Sequence, residues 1–161
     1  MITDNPNEAA ARLKPGQRLL GLDLGSKTIG LALSDPGLCI ASPYATIRRR
    51  NLKQDAEALK MVIAREGVGG LVLGLPRNMN GSEGPAAQSA RKFAAEIEEL
   101  VPDLVLAFWD ERLSTMAVTR TLLEADTSRK RRGELVDKLA AAYILQGALD
   151  SLPRRQRDPA V

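Results

Sequence analysis

Short apolar runs alternate along the chain with longer stretches in which apolar residues recur every three or four positions. The short runs predict strands at residues 19–24, 28–34, 38–46, 70–75 and 104–109. The longer stretches predict helices at residues 52–65, 85–100, 115–124 and 134–151. Turn residues separate the elements, most clearly Asp35-Pro36-Gly37 after the second strand. A basic loop is expected before the last helix.

The predicted order of elements is βββαβαβαα. Early strands joined by hairpins and later strands joined through helices are typical of an α/β fold with a mixed sheet. We therefore predict a five-stranded sheet whose first three strands are antiparallel, followed by βα units, with helices packed on it. In such sheets active sites gather beyond the carboxyl ends of the parallel strands.

The chain has 161 residues, the length of one domain, and we place that domain at residues 18–152. Residues 1–17 predict a flexible leader and residues 153–161 a flexible basic tail. The leader lacks the apolar segment of a signal peptide, and no apolar run reaches the length of a membrane span. We therefore expect a cytoplasmic protein with no membrane partner.

Composition narrows the possible chemistry. The chain contains no histidine, which excludes Ser-His-Asp and Cys-His nucleophiles and imidazole metal sites. Its single cysteine, Cys39, lies in an apolar run and is expected to be a buried structural thiol. Only 3% of the residues are aromatic, which argues against a protein that binds single strands by stacking bases. Carboxylates, lysine and oxygen-liganded metals remain for hydrolytic chemistry.

Positive charge is concentrated in a chain whose formal net charge is only +3. Eleven of the 23 basic residues fall in three short stretches: Arg48–Arg50 with Lys53, Arg129–Arg132, and Arg154, Arg155 and Arg157. Basic segments on an otherwise acidic chain favour local contact with phosphate groups. For each stretch on its own, a merely solvated surface is an equal alternative.

Asp23 is a charged residue inside an apolar strand. A buried carboxylate requires a cation or a basic neighbour, or it caps a turn. The adjacent glycines, Gly21 and Gly25, are expected to let a phosphate approach the backbone, where Lys27 would hold it. The segment is not a P-loop, because Ser26 separates glycine from lysine and a strand follows instead of a helix.

Further acids lie where the fold prediction expects an active site. Asp110 and Glu111 follow a predicted strand, so one of the two is expected to face the site. Asp137 lies in a largely apolar helix and is expected to point inward, although the helix dipole alone would also favour it there. Asp150 and Glu134 are weaker alternatives. Three converging carboxylates need a cation, and a ligand set of oxygen atoms selects Mg²⁺ or Mn²⁺.

A glycine-rich loop follows the strand at residues 70–75. At about ten residues it is longer than the usual 2–6 residues of a βα loop, which favours a functional role. Arg77 and Asn78 are expected to contact a phosphate or sugar there, and Pro85 begins a helix whose N-terminus favours anions. Arg112, beyond the next strand, is a further candidate for phosphate contact.

Four segments together resemble the YqgF (RuvX) family of RNase H-like nucleases over residues 18–151. They are Gly21–Gly30, Gly74–Gly84, Asp110–Thr115 and Val136–Ala141. The resemblance implies Asp23, Glu111 and Asp137 as the catalytic and metal-binding acids. The family often has Asp where this chain has Asn80 and seldom Arg where it has Arg77, and both differences concern substrate contacts rather than the acids.

The resemblance implies a Mg²⁺- or Mn²⁺-dependent nuclease that matures the 5′ end of pre-16S ribosomal RNA. Its expected partners are pre-rRNA, a ribosomal precursor or branched DNA, and we expect a monomer or a weak homodimer. Expected nucleic-acid contacts are Lys27, Arg77, Asn78, Arg112, Arg129, Lys130, Arg131 and Arg132. Alternatives are a Holliday junction resolvase, a non-catalytic RNA-binding factor in ribosome assembly or transcription, and a small kinase-like ATPase.

Overall fold

The computed structural model describes residues 1–78, 80–111 and 129–153, and for residues 129–136 it describes only the backbone. The strands are β1 Ile2–Thr3, β2 Arg18–Leu24, β3 Thr28–Ser34, β4 Ala41–Arg48, β5 Val68–Leu75 and β6 Val105–Asp110. The helices are α1 Pro6–Ala11, α2 Leu52–Glu66, α3 Pro85–Leu100 and α4 Arg129–Asp150. The strands form one sheet in the order β1-β6-β5-β2-β3-β4.

The sheet is mixed, as predicted. β2, β3 and β4 form two antiparallel hairpins, whereas β5 is parallel to β2, β6 is parallel to β5, and β1 is parallel to β6. Because β4 is antiparallel to β3, it runs in the same direction as β2. The carboxyl ends of β2, β4, β5 and β6 therefore lie at one edge, which we call the carboxyl edge.

The two faces of the sheet carry different side chains, because alternate residues of a strand point to opposite sides. On β2, Leu20 and Leu22 face α2 and α3 and belong to a core of large residues that includes Phe93. Leu19 and Gly21 face α4, where the core is rich in alanine. Asp23 continues this second series, so it lies on the α4 face at the carboxyl edge.

The N-terminal leader contains more structure than we expected. Asn5 caps α1 by accepting a hydrogen bond from the backbone of Asn7, Pro6 occupies the first turn, and Ala9 and Ala10 are buried. The two residues of β1 pair with β6 and add the sixth strand to a sheet that we predicted with five. A helix of six residues and a strand of two are too short to produce a recognisable period.

Two further expectations were wrong. Cys39 is exposed rather than buried, because the turn after β3 continues through Ile40 and delays the start of β4. The carboxylate of Asp35 accepts hydrogen bonds from the backbone N–H groups of Cys39 and Ile40, at 2.8 and 2.9 Å, and holds this turn. The last helix begins at Arg129, so the basic stretch that we placed in a loop has a helical backbone.

The predicted helix at residues 115–124 and the basic tail from residue 154 lie outside the described residues. Within the residues that the structure describes, no helix is both long and apolar enough to cross a membrane.

Candidate active site

Asp23 lies between two glycines on the neighbouring strands. Gly30 of β3 is its direct partner in the antiparallel pair. On the other side, Leu22 is in register with Leu73 of β5, so Gly74 follows beside Asp23. The side chain of Asp23 is buried, with 6% of its surface exposed. Two positions without side chains therefore flank the buried carboxylate of Asp23 on β2.

Asp137 lies over the first of these glycines. A Cβ atom on Gly30 would overlap the backbone carbonyl group of Asp137, so the absence of a side chain lets α4 approach β3 closely. The hydroxyl group of Thr28, two residues before Gly30, donates a hydrogen bond to the Asp137 carboxylate. Asp137 is thus fixed to β3 through both its backbone and its side chain.

Glu111 lies over the second glycine. It follows β6 directly, and a Cβ atom on Gly74 would overlap its carboxylate and the end of the Ile144 side chain from α4. Asp110 pairs with Leu75 of β5 and, by the alternation along β6, points to the opposite face. The structure therefore assigns Glu111, and not Asp110, to the α4 face.

The three predicted acids thus occupy one face of the carboxyl edge across adjacent strands, with Asp23 between Asp137 and Glu111. The weaker alternative Asp150 lies at the far end of α4, about 20 Å along the helix from Asp137 by a rise of 1.5 Å per residue, and accepts a hydrogen bond from Gln146. The side chain of Glu134 lies outside the described residues.

Gly21 has a different role from the one that we expected. A Cβ atom on Gly21 would lie 2.7 Å from Cβ of Leu145 and 2.9 Å from the carbonyl oxygen of Ala141, so Gly21 makes room for α4 rather than for a phosphate. Gly25 closes the β2–β3 turn against the carbonyl oxygen of Thr28. Sequence reasoning missed Thr28 and Gly30, and glycine within a predicted strand was the available signal of close packing.

The chemistry of the donor set fits a hard divalent cation, because the three acids offer only oxygen atoms. The spacing fits less well. Among the residues that the structure describes, no three acidic side chains lie close enough together to hold one metal ion. For the three carboxylates to share an ion, the side chains of Asp137 on α4 and Glu111 after β6 have to turn towards Asp23.

The predicted phosphate contacts differ in how accessible they are. Lys27 is exposed in the β2–β3 turn at the carboxyl edge. Asn78 is exposed in the glycine-rich loop, where its side-chain amide donates to Ser82 Oγ at 3.0 Å. Arg112 and the side chains of Arg129, Lys130, Arg131 and Arg132 lie outside the described residues.

Arg77 is half-buried and already engaged by the protein. Its guanidinium group lies 3.7 Å from the Glu83 carboxylate, while Arg91 donates two hydrogen bonds of 2.6 Å to the same carboxylate. The hydrogen bonds from Arg91 hold the pKa of Glu83 below its usual value, although partial burial opposes the shift. This ion cluster closes the glycine-rich loop onto α3, so Arg77 is not simply free to receive a phosphate.

Comparison with known proteins finds relatives over nearly the whole chain. A family model described as "RuvX: Holliday junction resolvase" matches residues 17–151. A protein from Paramagnetospirillum magneticum is 66% identical over 146 residues, covering 91% of this chain and 94% of the relative. A protein from Roseobacter denitrificans is 54% identical over 153 residues, covering 94% of each chain. Both relatives bear the name "Putative pre-16S rRNA nuclease".

The fold has a counterpart among solved structures. T. thermophilus RuvC in complex with a Holliday junction substrate aligns with a TM-score of 0.53 and 11% sequence identity, over 84% of this chain and 97% of that chain. This likeness establishes a RuvC-like fold, as the resemblance of the sequence motifs implied. Since the family model matches the chain from β2 to α4 and the relatives are similar over nearly their full length, the chain belongs to the RuvX family.

Proposed function

We propose that this protein is a metal-dependent nuclease that hydrolyses phosphodiester bonds in the maturation of the 5′ end of pre-16S ribosomal RNA. The name shared by its close relatives supports the substrate. The observation that carries the catalytic assignment is the arrangement of Asp23, Glu111 and Asp137 on one face of the carboxyl edge, two of them lying over glycines that flank the third. If pre-rRNA is the substrate, the protein acts in the cytoplasm.

Asp23, Glu111 and Asp137 would hold Mg²⁺ or Mn²⁺ in this proposal. When bound, such an ion would supply Lewis-acid chemistry that activates a water nucleophile and stabilises negative charge on the phosphate and the leaving oxygen. Asp23 supplies a carboxylate that is already largely shielded from water. Thr28 orients Asp137 by donating a hydrogen bond to one of its carboxylate oxygens.

The same proposal assigns the substrate contacts. Lys27, exposed beside the acids, would bind a phosphate next to the bond that is cut. Arg77 and Asn78, at the end of β5, would contact the strand on the other side of Asp23 once Arg77 exchanges Glu83 for a phosphate. Additional phosphate contacts are assigned to Arg112, Arg129, Lys130, Arg131 and Arg132.

The test is cleavage of an end-labelled pre-16S RNA fragment by the wild type and by Asp23→Asn, with Mn²⁺, with Mg²⁺ and with chelator. Cleavage should require the metal and fall to background in the variant. Asp103→Asn, which changes an exposed acid in the turn before β6, should cleave like the wild type. Full activity of a folded Asp23→Asn protein would refute the catalytic assignment.

A second candidate function is resolution of Holliday junctions, which the description of the matching family model favours. A four-way DNA junction in the same assay distinguishes the two substrates. Metal-dependent cleavage of the junction in preference to the RNA would favour the resolvase. Binding of RNA without cleavage under every metal condition would instead favour a non-catalytic role in ribosome assembly or transcription.

A further inference from the structure

A groove of about 640 Å³ lies between the end of β4 and the start of α2. We call it the β4–α2 groove. Its basic lining residues are Arg48, Arg50 and Lys53, and Ile47 and Ala58 contribute apolar surface. The first basic stretch of the sequence therefore lines a concave surface. This arrangement favours a binding role over a merely solvated run of charges.

Arg49, in the middle of this stretch, is held by the protein. Its Nη1 donates to the carbonyl oxygen of Gly25 at 2.8 Å, and its Nε lies 3.5 Å from the carboxylate of Asp55. Asp55 is 2% exposed and also accepts a hydrogen bond from the backbone N–H of Arg50 at 3.0 Å. Arg49 thus neutralises the buried acid of the groove and fixes the β2–β3 turn to α2.

The other three basic residues are exposed. None of Arg48, Arg50 and Lys53 forms an ion pair with any residue that the structure describes. The exposed acid of the groove, Glu57, offsets only one of their charges. Since Lys53 also lies in the first turn of α2, the partial positive charge of the helix N-terminus adds to the field in the groove.

The groove reaches the edge of the sheet that also carries the candidate acids, although it lies on the α2 face and they lie on the α4 face. Arg48 is the direct partner of Thr28 in the β3–β4 pair, and Thr28 donates its hydroxyl hydrogen bond to Asp137. The backbone N–H of Arg49 donates to the carbonyl oxygen of Lys27 at 2.8 Å, which ties the same turn to the groove. Adjacent strands lie about 4.8 Å apart, so the basic groove and the acids share one edge of the sheet.

We propose that the β4–α2 groove binds the sugar–phosphate backbone of the nucleic-acid substrate next to the bond that is cut. This inference rests on the proposed nuclease function. The apolar floor and the three exposed cations suit a chain of phosphates and sugars. The groove lies on the α2 side of the carboxyl edge, so that chain would pass around the edge to reach Asp23 on the α4 face. The groove is a binding surface, and its residues take no part in the chemical step.

The test compares two variants that lose the same charge. Arg48→Gln/Arg50→Gln/Lys53→Gln changes the groove, whereas Arg12→Gln/Lys60→Gln/Lys92→Gln removes three exposed cations elsewhere. Binding of a fluorescein-labelled 20-nucleotide RNA is measured by fluorescence anisotropy in EDTA over a range of KCl concentrations. Circular dichroism confirms that both variants are folded.

The groove variant should bind at least about tenfold more weakly at 0.1 M KCl, and the slope of log K against log [KCl] should fall in magnitude by about 2 for three lost phosphate contacts. The control variant should stay within about twofold of the wild type. Equal weakening of both variants, or unchanged binding by the groove variant, would overturn the inference.

Cleavage with Mn²⁺ separates this inference from the proposed function. If the protein is a nuclease, the groove variant should show a raised KM with kcat preserved. A wild type that binds RNA through the groove but never cleaves would contradict the nuclease and leave the groove as an RNA-binding surface. A groove variant with normal KM and lowered kcat would contradict the binding role while the nuclease stands.

Discussion

The two faces of the sheet are built from the same strands but differ in the size of their side chains and in the acids that they carry. The face under α2 and α3 is filled with large side chains, among them Phe93, Leu71 and Leu73. The face under α4 is made largely of glycine and alanine, and the helix lies almost directly on the strands at Gly21 and Gly30. The candidate catalytic acids occur only on the second face.

The difference shows how a small domain can separate stability from chemistry. Large residues bury the most apolar surface, and so the first face contributes most of the hydrophobic stabilisation. Gly30 lets the backbone of α4 approach the sheet and so places Asp137 over β3, and Gly74 leaves room over β5 for the side chain of Glu111. Substitutions on the first face should therefore change stability, whereas those at the carboxyl edge of the second should change activity.

The largest effect on stability is expected from Phe93→Ala, which removes a fully buried ring from the first face. The free energy of unfolding should fall by about 3–5 kcal/mol, because burial is lost and a cavity remains. Urea denaturation measures this change. At a temperature where the variant is folded, kcat should equal that of the wild type. A loss of kcat in the folded variant would contradict the conclusion that the first face affects stability alone.

Gly30→Ala should affect both properties. The added methyl group meets the backbone of Asp137, which cannot rotate away, so α4 has to shift. Overpacking of this kind costs about 1–3 kcal/mol, and displacement of Asp137 should lower kcat. Thermal denaturation and metal-dependent cleavage are measured in parallel, and a variant with wild-type stability and activity would contradict the close approach of α4.

Gly74→Ala should lower activity with little loss of stability. The atoms nearest to the added methyl group belong to the flexible side chains of Glu111 and Ile144 rather than to a backbone, so the loss of stability should stay below about 1 kcal/mol. Moving a catalytic carboxylate by about 1 Å should reduce kcat by about 100-fold. Gly84→Ala is the control, because its methyl group would make only ordinary contacts with Asn78. Equal activity of both variants would argue against Glu111 as a catalytic acid.

The smallest effect on stability is expected from the ion cluster of Arg77, Glu83 and Arg91, which joins the glycine-rich loop to the first face. On that face Arg91 also lies 4.8 Å from the centre of the Phe108 ring. The folded-state pKa of Glu83 is lowered by Arg91, so its stabilising contribution is complete above the unfolded pKa of about 4.3. This contribution is lost as the pH falls through the lower pKa that Glu83 has in the folded state. Glu83→Gln should therefore lose less stability than the wild type between pH 5 and 3, as measured by urea denaturation at each pH.

The sequence was sufficient to predict the fold class, five of the six strands and the family. Apolar runs and helical spacing mark the long elements, and the position of Asp23 in a strand follows from its apolar neighbours. The choice of Glu111 over Asp110 from the family motif agrees with the face that each occupies. The metal-binding role of the three acids remains a prediction.

Other features depend on contacts between distant segments. The hydrogen bond from Thr28 to Asp137 joins residues 109 positions apart, and no local pattern indicates it. Arg49 differs from Arg48 and Arg50 only because Asp55 and Gly25 lie within its reach. Gly21 was expected to let a phosphate approach, and only the packed helix shows that it makes room for Leu145 and Ala141 of α4.

The two outermost strands bear on self-association. β1 has only two residues, and β4 contains Pro43 and a change of register near its middle. Short strands, proline and irregular pairing all hinder the addition of another strand to a sheet. Copies of this protein should therefore not polymerise edge to edge at high concentration, and any homodimer would have to form through a helical surface or a loop.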